Sequence, residues 1–277
     1  MTRLANRSPG VGRADAAQGS EALVPVPGFP FPVEASAGLE AQARKIAARC
    51  SDAYDLLSHA FERTPAITLL VLAEDDWNDP GLPYGMPYYA DGQLVVAGEP
   101  AQFWRLFVPL LEQAPAPLRE AAVQVYGKEL DLSPFFNLLA VHELGHSFPK
   151  PGVFPRHWLD ETFANLCLHA YIASREQGLL PVLEAFPNAV AAIAATNFPC
   201  RSLHEFETVY SGMDAVNYGW FQCHFHVAAR GVYDSGGIAV LKRFFRRFSR
   251  PDDDVLAAVL LGDVSRELAK LPLCWPA

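Results

Sequence analysis

Residues 142–146 read HELGH, a stretch that places two histidines four positions apart and a glutamate directly after the first. On a helix, residues four apart lie on one face about one turn apart, so His142 and His146 can reach a single metal ion. Neutral imidazoles are common ligands of Zn²⁺. Glu143 projects about 100° around the helix from His142, where its carboxylate can act on water without ligating the metal. The spacing therefore predicts a zinc site with a general base beside it.

The residues around HELGH predict a buried helix. The segment 133–148 reads SPFFNLLAVHELGHSF, with Ser133 as a candidate N-cap and Pro149 just beyond the end. Apolar residues surround this helix on all sides, which is typical of a helix inside a core. Buried histidines need partners, and a metal ion supplies one. The alternative is a pair of hydrogen-bonded core histidines beside a salt-bridged glutamate. Gly145 lowers helix propensity by about 1 kcal/mol relative to alanine, and it could permit the close approach of another backbone.

The segment 157–165, HWLDETFAN, contains the candidates for a third metal ligand. A catalytic zinc ion commonly has three protein ligands and one open position. HELGH followed by WLDETFAN resembles the gluzincin zinc metallopeptidases, most closely the aminopeptidase-like branch and the peptidase MA-like domains. The resemblance implies that Glu161 is the third ligand, with His157 and Asp160 as the alternatives. Asn165 lies four residues after Glu161 on the same helix face, where we expect it to hydrogen-bond a ligating histidine.

The segment 216–233, VNYGWFQCHFHVAARGVY, resembles the downstream helix of the same branch. That resemblance implies that Tyr218 faces the metal and donates a hydrogen bond to the oxyanion that develops during amide hydrolysis. Tyr210 is the second candidate for this role, followed by His224 and His226. The two histidines stand two positions apart and cannot share a helix face, so we do not expect them to form a second metal pair.

The chain departs from the family pattern in three places. Fourteen residues separate His146 from Glu161, which is a shorter spacer than gluzincins typically have. Thr162 stands where the family usually has glycine. The stretch 84–87, YGMP, lacks the glutamate that holds the free amine of the substrate in the aminopeptidase branch. The last departure argues against aminopeptidase activity and leaves endopeptidase action open.

The remaining patterns predict an α+β fold in which a mixed part precedes a helical part. A helix is expected over 38–61, a buried strand over 66–73, a hairpin around Asp91-Gly92 over 88–96, helices over 100–113 and 116–126, and an almost entirely helical chain after HELGH. This layout is the one that the resemblance implies, with a zincin-like core and the metal in a cleft between two subdomains. The resemblance also implies a sheet edge that pairs with an extended substrate, and the hairpin near residues 83–96 is the candidate for it.

We expect one catalytic domain over residues 21–277. It would comprise a mixed α/β subdomain (21–149) that carries the HELGH helix and a helical subdomain (150–277). Residues 1–20 are rich in small and polar residues, which predicts a disordered tail.

Composition limits which classes of partner and which cellular compartment are expected. The net charge is −9, from 31 acidic and 22 basic residues, which argues against nucleic acid as a partner. The five cysteines are odd in number and form no CxxC pair, a pattern typical of reduced thiols in the cytoplasm. No apolar run is long enough to span a membrane, and the first residues lack the apolar stretch of a signal peptide. We therefore expect a cytoplasmic protein without membrane partners, and the oligomeric state stays open.

These features together predict a zinc-dependent metallopeptidase that acts on a peptide or protein substrate. Zn²⁺ would be held by His142, His146 and Glu161, and Glu143 would be the general base. One alternative is a zinc hydrolase of a small non-peptide amide that uses the same residues. Another is a zinc-stabilised binding module without turnover. The presence of Glu143 favours chemistry, because a general base contributes nothing to the folding of such a module.

Overall fold

A computed structural model describes residues 22–77, 79, 81–149 and 156–248 of the chain. The predicted tail, residues 1–20, and the end of the predicted helical subdomain, residues 249–277, lie outside the described residues. The described residues form a five-stranded sheet followed by a mostly helical part. The coarse prediction of a mixed α and β chain with a helical second half is confirmed.

The sheet has a parallel centre and antiparallel edges. Its strands, in spatial order, are β1 (Val24–Pro25), β2 (Val33–Ala35), β3 (Thr68–Leu72), β5 (Gln93–Ala97) and β4 (Tyr88–Ala90). β3 pairs in parallel with β2 and β5, and its last four residues are buried, as expected of a central strand covered on both faces. The predicted hairpin is present. Asp91 and Gly92 have positive φ angles of 51° and 80°, as a two-residue turn between β4 and β5 requires.

Ten α-helices lie within the described residues. They are α1 (Glu40–Phe61), α2 (Val108–Gln113), α3 (Ala116–Tyr126), α4 (Ser133–Phe136), α5 (Leu139–Gly145), α6 (His157–Arg175), α7 (Leu180–Ala191), α8 (Leu203–Val209), α9 (Ala215–Asp234) and α10 (Gly237–Phe248). The predictions for α1 and α3 are confirmed. The helix expected over 100–113 is instead a 3₁₀ helix, Phe103–Phe107, followed by α2. None of the described helices has the length and apolar content needed to cross a membrane.

The prediction of one helix over 133–148 is wrong, because the segment folds as α4 and α5 with a tight turn between them. The N-cap is Leu132 rather than Ser133, and the carboxylate of Asp131 accepts from the backbone N–H of Ser133 at 3.0 Å. Phe135 and Phe136 both pack against Phe186 of α7, with ring centroids 5.2 and 6.1 Å apart, respectively. Tertiary packing of these rings outweighs the local helix propensity.

The close packing of α5 on α6 depends on Gly145. A Cβ atom at this position would lie 3.1 Å from the Cα of Ala164 and 3.3 Å from the Cβ of Cys167. Both separations are shorter than ordinary carbon–carbon contacts. The missing side chain lets the two helices approach, which is the close backbone approach that the sequence suggested for this glycine. The contact brings the end of α5 against the middle of α6.

Candidate metal centre

The three predicted metal ligands converge between α5 and α6. One ligand atom from each of His142, His146 and Glu161 lies within 4.8 Å of the other two. Nε2 of His142 is 3.2 Å from Oε2 of Glu161 and 3.3 Å from Nε2 of His146. Nε2 of His146 is 3.7 Å from the same carboxylate oxygen. Two imidazole nitrogens and a carboxylate oxygen directed at one point form a donor set that fits a divalent cation.

Local backbone geometry keeps the two histidines one turn apart although α5 ends between them. His146 follows the last residue of α5 and retains a right-handed helical conformation, with φ −63° and ψ −17°. Its backbone N–H donates to the carbonyl oxygen of Glu143 at 3.2 Å. The helical conformation therefore continues beyond the end of α5, and both imidazoles face α6.

Asp160, an alternative ligand in the sequence analysis, lies on the other side of the His146 ring. Its Oδ2 is 3.3 Å from Nδ1 of His146, the nitrogen that does not face Glu161. A carboxylate in this position fixes the orientation of a metal-binding imidazole. Burial lowers the pKa of His146, but the charge and hydrogen bond of Asp160 and the charge of Glu161 raise it to about 10. A metal ion would displace a proton from His146 on binding.

The carboxylate of Glu161 is the most heavily hydrogen-bonded group of the site. Its Oε1 accepts from the hydroxyls of Tyr210 at 2.6 Å and Tyr218 at 3.0 Å, and its Oε2 accepts from Nε2 of Gln222 at 2.7 Å. Burial raises the pKa of Glu161. The hydrogen bond of His142 and the charges of both histidines outweigh burial and hold this pKa well below its usual range. Glu161 is therefore ionised and ready to hold a cation.

The structure brings both candidate tyrosines into the site, but their hydroxyls are engaged with Glu161. The Tyr218 hydroxyl also accepts from Nε2 of Gln222 at 2.7 Å. A tyrosine that donates to a developing oxyanion must first release the carboxylate. The role of Tyr218 as an oxyanion donor stays a prediction, and the same holds for Tyr210.

Glu143 lies beside the ligands without joining them. Its Oε1 is 4.0 Å from Nε2 of His142. Burial raises the pKa of Glu143, while the two histidines and the backbone N–H of Tyr89 in β4 offset part of that effect. A raised pKa brings a carboxylate closer to the range in which it exchanges protons near neutral pH. The contact with Tyr89 places the carboxylate next to the edge strand of the sheet.

His157, the other alternative ligand, lies outside the ligand cluster. Its Nδ1 is 3.1 Å from Oε2 of Glu207, and its ring stacks on Tyr210 with centroids 4.1 Å apart. Glu207 also accepts from the backbone N–H of Trp158 at 2.9 Å, so its carboxylate caps the start of α6. His157 is therefore a partner of Tyr210 and Glu207 in this structure.

Asn165 supports the site differently from the expectation. The predicted hydrogen bond to a ligating histidine is not formed. Instead, Nδ2 of Asn165 donates to the backbone carbonyl of Glu161 and to Oε1 of Gln222, both at 2.9 Å. The physical reason is that the amide faces α9, where Gln222 offers an acceptor within the same buried layer. Gln222 was not predicted as a site residue, and its only local signal is its position four residues after Tyr218 on one helix face.

Comparisons of the chain with protein-family models, with curated proteins and with solved structures found no match. The chemical capacity of the chain is therefore judged from its own side chains. They provide a largely buried cluster of two histidines and a glutamate that could hold a metal ion, with the carboxylate of Glu143 beside it.

Proposed function

We propose that this protein is a zinc-dependent metallopeptidase of the gluzincin type. The observation that carries the proposal is the convergence of His142, His146 and Glu161 with Glu143 beside them. The orienting contacts add support, since a coincidental cluster has no need of Asp160 behind His146. Two imidazoles and one carboxylate are a ligand set that catalytic Zn²⁺ sites use.

Each side chain of the site has a separate role in the proposed peptide hydrolysis. Zn²⁺, when bound, supplies a Lewis acid that polarises a carbonyl oxygen and acidifies water. Glu143 accepts a proton from the attacking water and passes it to the leaving amine. Tyr218, once its hydroxyl turns away from Glu161, donates to the oxyanion. Asp160 holds the ring of His146 in the orientation that binding requires.

The edge strand β4 supports a peptide as the substrate. β4 is the last strand of the sheet, and the backbone N–H of Tyr89 faces Glu143. A peptide that adds to this edge as an extended strand would gain main-chain hydrogen bonds and would pass beside the general base. Recognition of this kind depends little on the substrate sequence.

Metal content and peptide cleavage test the proposal on the purified full chain. We expect about one zinc ion per native chain by elemental mass spectrometry, and loss of zinc from Glu161→Ala. Glu143→Gln should keep the zinc and lower cleavage of a peptide library by about 10²-fold or more. The matched control is Glu120→Gln, at an exposed position on α3, which should behave as the native chain.

Three results would contradict the proposal. A native chain that takes up no zinc has no metal centre. A Glu143→Gln variant that cleaves normally has another general base. A native chain that hydrolyses small acyl-amides but no peptide is a hydrolase of a different substrate class.

A further inference from the structure

A polar seam runs along the interface of α6 and α9. It consists of Glu161, Asn165 and His169 on α6, which face Tyr218, Gln222 and His226 on α9. The members of each set are four residues apart, so each set lies on one helix face. The first two levels of the seam are hydrogen-bonded, Tyr218 to Glu161 at 3.0 Å and Asn165 to Gln222 at 2.9 Å. At the third level the rings of His169 and His226 have centroids 5.7 Å apart.

The third level contains polar atoms without partners. Among the described residues, Nδ1 of His169 and both ring nitrogens of His226 are buried and form no hydrogen bond. Both residues are 2 % exposed. Buried polar side chains of folded proteins nearly always have a partner, either protein or ordered water. The described side chains therefore leave these two neighbouring histidines in need of a hydrogen-bond partner.

The proposed metal ligand His142 also has a ring nitrogen without a hydrogen-bond partner among the described residues. Its Nε2 faces Glu161 and His146, while its Nδ1 is buried without a hydrogen-bond partner in the described part of the chain. When Nε2 binds a metal ion, Nδ1 carries the hydrogen and needs an acceptor. His146 has Asp160 for this purpose, and Asn165, the expected partner of a ligating histidine, is engaged elsewhere.

We propose that His226 is the positioning residue for His142, which it holds through a buried water that accepts from Nδ1 of His142 and donates to the imidazole of His226. This inference rests on the proposed metal site. His226 lies one helical turn beyond Gln222, and Gln222 bonds the same oxygen of Glu161 that lies 3.2 Å from His142. A buried water commonly makes about three hydrogen bonds, and Nδ1 of His169 supplies the third partner.

The direction in which the pKa of His226 is shifted agrees with this role. Burial lowers the pKa of His226 well below its usual value, and the charges of His169, Arg230 and His142 lower it further. A neutral imidazole has one acceptor nitrogen, which can take a hydrogen bond from the water.

Zinc affinity of single-site variants, measured by chelator competition on the full chain, tests the proposal. His226→Leu should bind zinc about 10- to 100-fold more weakly, the loss typical when a partner of a metal-binding histidine is removed. The melting temperature of the metal-free variant should not fall, because leucine removes a buried polar group that has no protein partner. His226→Gln keeps a donor and an acceptor and should retain an affinity within about threefold of the native value.

The matched control is His224→Leu, which makes the same substitution two residues away on α9. His224 packs against Trp220, with ring centroids 4.5 Å apart, and should not affect zinc binding. Nitrogen NMR of zinc-loaded protein gives an independent readout. The Nδ1–H of His142 should exchange slowly with solvent in the native chain and rapidly in His226→Leu.

The outcomes separate this proposal from the metallopeptidase proposal. Native affinity in His226→Leu, equal losses in the two leucine variants, or a His226→Gln variant as weak as His226→Leu would each overturn the positioning role while leaving the metal site intact. A native chain that binds no zinc would overturn both proposals.

Discussion

Gly145→Ala tests whether the contact between α5 and α6 holds the metal ligands in place. A free position at the end of a helix gains up to about 1 kcal/mol of stability when glycine is replaced by alanine. Here the added Cβ would lie 3.1 Å from the Cα of Ala164, which is backbone and cannot rotate away. Overpacking of this kind costs about 1–3 kcal/mol. The net expectation is a loss of zero to about 3 kcal/mol in the free energy of unfolding.

The same substitution should weaken the metal centre. Restoring ordinary contact requires α5 and α6 to separate by roughly 0.4 Å. Metal–ligand distances tolerate deviations of only about 0.2 Å. His142 and His146 lie on the α5 side and Glu161 lies on α6, so the separation acts directly on the ligand set. We expect a loss of zinc affinity of about tenfold, equivalent to about 1.4 kcal/mol.

Thermal unfolding of the metal-free protein and chelator competition for zinc measure the two effects. Gly178→Ala is the matched control, because a Cβ at Gly178 would have no atom within 4 Å. The control should be neutral or slightly stabilising and should leave zinc affinity unchanged. The reasoning is refuted if Gly145→Ala stabilises the chain as an ordinary glycine-to-alanine change does and binds zinc as the native chain does.

Two further predictions concern charged partners. Asp160→Ala should lower zinc affinity about 10- to 100-fold, since it removes the carboxylate behind His146; unchanged affinity in the same chelator assay would exclude an orienting role. Glu176→Gln should lose roughly 1–2 kcal/mol of stability at pH 7, because Arg49 donates two hydrogen bonds of 2.9 Å to the Glu176 carboxylate. Burial raises the pKa of Glu176, but Arg49 outweighs it and the net pKa lies below the ordinary 4.5. The stability difference should therefore be full above pH 4.5 and vanish as the pH falls through the lowered pKa; a constant difference in urea unfolding from pH 7 to pH 3 would contradict it.

The parts of the structure that were predictable from the sequence depend on local patterns. The spacing of His142 and His146 defines one helix face, and the hydrophobic run of β3 defines a buried strand. Asp91-Gly92 has the residue types that a tight hairpin needs, and the structure places them in that turn. Each of these inferences involves residues within a few positions of one another, where backbone geometry alone relates side chains.

The parts that were not predictable depend on partners distant in the sequence. The hydrogen bond of Gln222 to Glu161 joins residues 61 positions apart. The break between α4 and α5 accompanies packing of Phe135 and Phe136 on Phe186 of α7, and local propensity carries no information about that contact. Asn165 was expected to hydrogen-bond a ligating histidine, but its amide donates to Gln222 of α9 instead. Asp160 was considered only as a ligand, because its position behind His146 depends on how α5 and α6 cross.

The polar seam also sets the register between two helices. Its three levels join residues 57 positions apart, as Tyr218 with Glu161 and Gln222 with Asn165 show, so α6 and α9 run in the same direction. Two helices that pack through apolar side chains alone can shift along each other at low cost, because one apolar side chain can take the place of another of similar size. A slip of one turn, about 5.4 Å, would place Asn165 opposite Tyr218 and Gln222 opposite His169. Glu161 would then lose its amide donor while staying buried. The seam therefore makes this shifted alignment of α6 and α9 unfavourable, much as a buried polar residue fixes the alignment of a coiled coil.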